Sequence, residues 1–192
     1  MKILNKQFYT QSTTEIAKQL LGKFLCRKIN GKIYIGKIVE TEAYLGKKDL
    51  ACHTSKGKTK RNEVMFGSAG HAYIYFIYGM YHCFNVVTEE ENNPCAVLVR
   101  ALEPINIPRR RNTRFCIPTT NGPAKLCREF QVDKKLNGHN LTLGEKLWIE
   151  NGDTIKPNQI KRSKRVGVDY AGIWKDRLLR FYIKDNEFVS KR

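Results

Sequence analysis

Asn30-Gly31 divides two runs of strand-forming residues, Phe24 to Lys28 and Ile33 to Thr41. A two-residue loop between paired strands favours a type I′ turn, which needs positive φ at both central positions, and Asn-Gly meets that need best. An antiparallel hairpin is therefore predicted here. Strand and turn then alternate along much of the chain. Ala72 to Tyr78 and Tyr81 to Thr88 read as a second hairpin around Gly79-Met80. Ala96 to Leu102, Leu147 to Glu150 and Leu178 to Ile183 read as further strands.

Helical signals are fewer. Ser12-Thr-Thr-Glu15 has capping-box spacing. Ile16, Leu20 and Leu21 follow near helical period and Gly22 can end the helix, which is predicted over residues 13–21. Gly122 to Phe130 reads as a short helix with Pro123 suited to its first turn. Residues 46–71 are polar and glycine-containing, with Lys56, Lys58, Lys60 and Arg61, and read as a long functional loop. Residues 89–94 form an acidic turn, Arg109 to Arg114 a basic loop, and Lys161 to Arg165 a charge run. No repeat or linker interrupts the 192 residues, of which 41% are hydrophobic, enough for one sizeable core. The expected fold class is α+β: a single compact domain over residues 1–192, antiparallel strands predominating, short helices packed outside.

Lysine and arginine total 35 against 18 acids, a formal charge of +17. Such an excess concentrates anionic partners at the surface, and nucleic acid is the commonest of them. No apolar run is long enough to span a membrane, and the opening Met-Lys-Ile-Leu-Asn-Lys-Gln lacks the apolar region of a signal peptide. A cytoplasmic protein is expected. The six cysteines, at 26, 52, 83, 95, 116 and 127, include no Cys-x-x-Cys pair, so neither a zinc site nor a disulfide framework is expected. Cys83 and Cys127 sit in apolar company and read as core.

Two segments carry chemistry. Val39-Glu-Thr-Glu-Ala-Tyr-Leu-Gly46 ends a predicted strand, where Glu42 and Tyr44 share a face. A carboxylate beside an aromatic surface can be desolvated into a general base. Glu40 has the same parity, so periodicity does not choose between them, and an exposed carboxylate paired with Lys37 or Lys47 is the plainer alternative. In Ala72-Tyr-Ile-Tyr-Phe-Ile-Tyr-Gly-Met-Tyr81, Tyr73, Tyr75 and Ile77 share one strand face and Ile74, Phe76 and Tyr78 the other. A two-sided apolar strand is most often core. A tyrosine-bearing face could also stack a nucleobase, with Tyr78-Gly-Met-Tyr81 as a wedge of the kind that fills the space left by an extruded base. His53 could donate to a phosphate or a water. Asn85 could discriminate base edges, and Arg100 could hold a phosphate or the carboxylate, or form a structural ion pair.

These segments, with Thr59-Lys-Arg-Asn62, Met65-Phe66, Arg100-Ala-Leu-Glu-Pro104, Gly122-Pro-Ala-Lys-Leu126, Arg165-Val-Gly-Val168 and Arg180-Phe-Tyr-Ile183, occur in one order. In that order the chain resembles the alkyladenine (3-methyladenine) DNA glycosylase family shared by mammals and many bacteria, over residues 7 to 184. The resemblance implies a curved, mainly antiparallel sheet with a protruding β-hairpin. It implies monofunctional base excision by a monomer on double-stranded DNA: a damaged purine is flipped out and its N-glycosidic bond hydrolysed, with no metal or organic cofactor. Glu42 becomes the general base that activates water, and Arg100 a contact near the scissile bond. Tyr44, His53 and Tyr75 become the walls of the base pocket, and Tyr78 the intercalating wedge. Asn85 becomes the residue that disfavours guanine by crowding its exocyclic amine. Lys60 departs from the proline frequent before Arg-Asn, and the lack of a long N-terminal extension implies a bacterial form. Two other classes compete. A non-catalytic nucleic-acid module has no use for a carboxylate beside a stacking surface, and a phosphodiesterase would need a cluster of metal ligands that the sequence does not offer.

Overall fold

The computed structural model describes residues 2–77, 79–106 and 119–191. Asn30 and Gly31 take φ of 49° and 78° and close β1 (Phe24–Ile29) on β2 (Lys32–Tyr44), with Ile29 opposite Lys32. β3 (Ala72–Ile77) and β4 (Tyr81–Thr88) form the second hairpin, whose tip leaves Met80 63% exposed. β5 (Cys95–Asn106), β6 (Leu147–Glu150), β7 (Ile160–Ser163) and β8 (Arg180–Ile183) complete the sheet. The order is β3-β4-β5-β2-β1-β6, with β8 joining β2 and carrying β7, and every pairing is antiparallel.

β2 is the spine. One edge pairs with β5 from Ile35 to Tyr44, while the other is shared between β1, up to Lys37, and β8, from Glu40 to Glu42. This fork curls the sheet into a half-barrel. The β2–β5 register shifts on both sides of Glu40, leaving Val39 on β2 and Arg100 on β5 without a cross-strand partner. Paired irregularities of this kind raise local twist and re-aim side chains.

Alternate residues divide the sheet between two environments. Ala43, Ile74, Phe84, Val86, Val97 and Val99 face the main core, where Ile16 and Leu20 from the α2 region (α1 is Lys6–Tyr9, α2 Thr13–Gln19) and Leu126 and Phe130 from the α3 region (Pro123–Glu129) complete the packing. Each fully buried side chain of this size stabilises the fold by about 1.5–3 kcal/mol. Tyr73, Val87 and Ala96 face the other way, under Cys52 and Met65 of the long loop. The aromatic strand is thus two-sided because each face has its own cover. Cys83 and Cys127 are buried, as are Cys26, Cys52 and Cys95, while Cys116 lies outside the described residues.

Three local expectations change. The Ser12 side chain makes no cap bond. Glu89, from the acidic turn, instead accepts from Thr13 N at 2.9 Å, so α2 is capped from 76 positions away and ends at Gln19. α1 was not anticipated, and is fixed by Asn5 accepting from Phe8 N at 3.1 Å. The charge run 161–165 is in part β7, an edge strand on β8. The basic loop Arg109 to Arg114 lies outside the described residues. Among the described residues no helix is long and apolar enough to cross a membrane.

Candidate active site

The register aligns one row of residues across four strands. Glu42 on β2 faces Leu98 on β5, Leu98 faces Asn85 on β4, and Asn85 faces Tyr73 on β3. The next row brings Tyr44 opposite Ala96, and Tyr75 stands opposite Cys83. Strands lie about 4.8 Å apart, so the row spans roughly 14 Å of a curling surface. Above it opens a cavity of about 520 Å³, within the range of about 300–1,000 Å³ usual for small-molecule sites. Tyr44, Tyr75, His53, Asn85 and Arg100 all line it.

Two loop segments wall the cavity. Asn62 organises the first: its amide donates to His53 O and Gly57 O, both at 2.9 Å, and its oxygen accepts from Thr59 N at 2.7 Å. His53 is thereby held with Nδ1 2.9 Å from the Tyr73 hydroxyl and its ring edge-on to Tyr75, 4.4 Å between centroids. The second wall is Val166 to Val168 with Tyr170. Arg165 anchors it. Its side chain is fully buried, with Nη2 donating to Asp49 Oδ1 at 2.8 Å, Nη1 to Asp49 Oδ2 at 2.5 Å and to Ala43 O at 2.9 Å. Asp49 also accepts from Leu45 N and Ala51 N, tying the ion pair to the end of β2. The guanidinium lies 4.7 Å from the centre of the Tyr44 ring.

Glu42 is fully buried, and is reached from the cavity through Tyr44, Arg100 and Val166 rather than forming part of the lining itself. Val166 N donates to Oε1 at 2.8 Å, the Tyr44 hydroxyl donates to Oε2 at 2.8 Å, and Arg100 Nη1 lies 3.3 Å from Oε1. A carboxylate offers about four acceptor sites, so Oε2 has a lone pair left for one more donor. Pairing with Lys37 or Lys47 is overturned: Lys37 contacts Glu103 and Asp153, and Lys47 lies over Phe66.

Burial raises the phenols of Tyr44, Tyr73 and Tyr75, reinforced at Tyr44 by the Glu42 charge. They stay neutral donors with intact π faces. Burial is also the main cause that lowers His53 to about 4, and the Arg61 cation adds to it. The ring is walled by protein yet exposed where it meets the cavity, so solvent moderates the shift without changing its direction. His53 is therefore a neutral imidazole, one nitrogen donating and one accepting. We expect its folded-state pKa, followed by NMR, to lie well below 6.5 and to rise in Arg61→Gln. The unfolded chain takes up this proton first, so the contribution of His53 to stability is present above about 6.5 and is lost as pH falls towards 4.

The anticipated residues thus converge, with Tyr78 outside the described residues and Glu42 one layer deep. Tyr73, on the tyrosine-bearing strand face, Cys83, expected in the core, and Arg61, to which the sequence assigns no role in the pocket, line the cavity too; Arg61 donates to Phe76 O at 3.0 Å, with its guanidinium 5.6 Å from the Tyr75 ring centre. The strand parity of Tyr73 and Tyr75 was the available signal for Tyr73. Nothing local marked Val166 N or the Asp49–Arg165 pair. Among the described residues no three His, Cys, Asp or Glu side chains are grouped to hold a metal ion.

Comparison with known proteins gives the family. The family model for Methylpurine-DNA glycosylase (MPG) matches residues 7–187. A relative from Legionella pneumophila (strain Corby) is 50% identical over 192 residues, covering all of both chains. One from Carboxydothermus hydrogenoformans is 48% identical over 194 residues, covering 99% of this chain and all of its own. One from Methanocella arvoryzae is 46% identical over 197 residues, covering all of this chain and 98% of its own. The names of all three assign them to the 3-methyladenine DNA glycosylases. With a match this long and relatives this similar, the chain belongs to the methylpurine-DNA glycosylase family, hydrolases of N-glycosidic bonds in DNA.

Proposed function

We propose that this protein starts base excision repair by flipping alkylated or deaminated purines, such as 3-methyladenine and hypoxanthine, out of duplex DNA and hydrolysing their N-glycosidic bond. What carries this reading is the buried Glu42 carboxylate, bonded to Tyr44 and Val166 and beside Arg100, at the end of a cavity walled by tyrosines. In this reading Glu42 takes a proton from water as it attacks the anomeric carbon. Its charge, in a site shielded from bulk solvent, also stabilises the positive charge that develops on the sugar. Arg100 orients Glu42 and the water. Tyr44, Tyr75 and His53 hold the flat base by stacking and edge contacts, and a cationic alkylated purine gains from their π faces. Asn85, held by its Nδ2 donating to Tyr73 O at 3.1 Å, faces the base edge and crowds the guanine amine.

The exposed Lys47, Lys48, Lys56, Lys58 and Lys60 lie on the loop that walls the cavity and suit phosphates flanking the extruded nucleotide. Tyr78 is our choice for the wedge on the strength of the resemblance. A monomer in the cytoplasm, acting on double-stranded DNA without a cofactor, completes the reading.

The test is a panel of duplexes, each with one damaged base and including a cationic and a neutral purine, scored for free base and abasic sites. Release of N-alkylated adenine or hypoxanthine, with undamaged DNA untouched and no strand cleavage, is expected. Binding without release of any base would favour a non-catalytic nucleic-acid module.

A further inference from the structure

Glu40 and Glu42 are both fully buried, two residues apart, on the same side of β2. Two buried carboxylates repel each other and need compensation. Two cations provide it, Arg100 and Arg180, each nearly buried. The compensation is unequal. Glu40 Oε1 accepts from Arg100 Nε and from Ser190 Oγ, both at 3.0 Å, and Oε2 accepts from Ser190 N at 2.6 Å. Arg180 Nε stands 2.8 Å from the same Oε1 as an ion pair without hydrogen-bond alignment. Arg180 also donates to Lys191 O, so both Glu40 and Arg180 grip the C-terminal segment.

Arg100 is held at three nitrogens. Nε donates to Glu40, Nη2 donates to Ser190 Oγ at 3.3 Å, and Nη1 reaches Glu42 at 3.3 Å. Ser190 Oγ donates to Glu40 while accepting from Arg100, which closes the circuit. A guanidinium beside a single carboxylate tends to close into a two-pronged fork that uses lone pairs on both oxygens. Here Glu40 draws Arg100 back, so it touches Glu42 at one oxygen and leaves Oε2 to Tyr44 and a further donor. Ser190 lies beyond residues 7–187 matched by the family model.

We propose that Glu40, clasped by Ser190, is a positioning residue that restrains Arg100 so that Glu42 stays free to receive the attacking water. This rests on Glu42 and Arg100 being the reacting pair. The C-terminal segment is then a working part of the active site.

The experiment measures single-turnover base release and duplex affinity separately for Glu40→Gln, Ser190→Ala, Ser190→Thr and Glu42→Gln. Small misplacements of reacting groups slow chemistry by up to about 100-fold. Ser190→Ala should slow release about 10-fold and Glu40→Gln about 100-fold, with affinity changed less than about twofold. Ser190→Thr, which keeps the hydroxyl, should restore the rate. If Glu40→Gln fails to fold, the serine pair decides. Wild-type rates in Ser190→Ala, or a loss of affinity equal to the loss of rate, would overturn the positioning role while Glu42→Gln remains slow. An active Glu42→Gln would instead remove the reading on which the proposal stands.

Discussion

Glu42→Gln will bind a damaged duplex within a few-fold of wild type and release its base about 10²- to 10⁴-fold more slowly, the usual worth of a general base. The substitution keeps the size of the side chain and, with the amide oxygen toward Val166 N, an acceptor there, while the new NH2 meets the Tyr44 hydroxyl, which turns from donor to acceptor. What it removes is the charge and the ability to take a proton. Duplex affinity should hold, because the side chain lies a layer behind the cavity and touches no surface open to DNA. Single-turnover base release, with affinity titrated in parallel, checks the split. A wild-type rate would remove Glu42 from the chemistry, whereas matched losses of affinity and rate would assign it to binding.

Asp49→Ala should be the most destabilising single change near the site. It strands the Arg165 guanidinium in a fully buried position and orphans Leu45 N and Ala51 N. Removing one partner of a buried ion pair costs about 3–5 kcal/mol, because the remaining charge has lost its compensation. For a chain of this size that corresponds to roughly 6–20 °C in Tm. Replacing both partners by apolar residues, as in Asp49→Leu with Arg165→Met, should recover much of the loss in thermal or urea melts. A Tm within a degree or two of wild type in Asp49→Ala would show that Arg165 finds water or another acceptor there. Arg165 Nε already lacks a partner, so the pair is imperfect and the lower part of the range is expected.

What could be read locally depended on whether the deciding partner lay nearby. Asn30-Gly31 and Pro123 declare their backbone needs within two residues, and both behave as expected. Tyr73 and Tyr75 separate from Ile74 by strand parity alone. Glu40 and Glu42 share a parity, so only distant groups tell them apart: Ser190, 150 positions on, claims the first, and Val166, 124 positions on, claims the second. Arg165 follows Lys161, Arg162 and Lys164, company that suggests solvent. Its burial is set by Asp49, 116 positions earlier. Ser12 met the local rule for a cap and was displaced by Glu89, a partner no window around the helix contains.

The alternation along β3 and β4 also limits how relatives of this protein can diverge. Tyr73 and Tyr75 on β3 and Cys83 and Asn85 on β4 border the cavity, while Ile74, Phe84 and Val86 pack into the interior, so an insertion or deletion of one residue within either strand would swap the two sets at once. Within the paired strands chain length is therefore tightly constrained, whereas single side chains on the cavity side can be exchanged without disturbing the core beneath them.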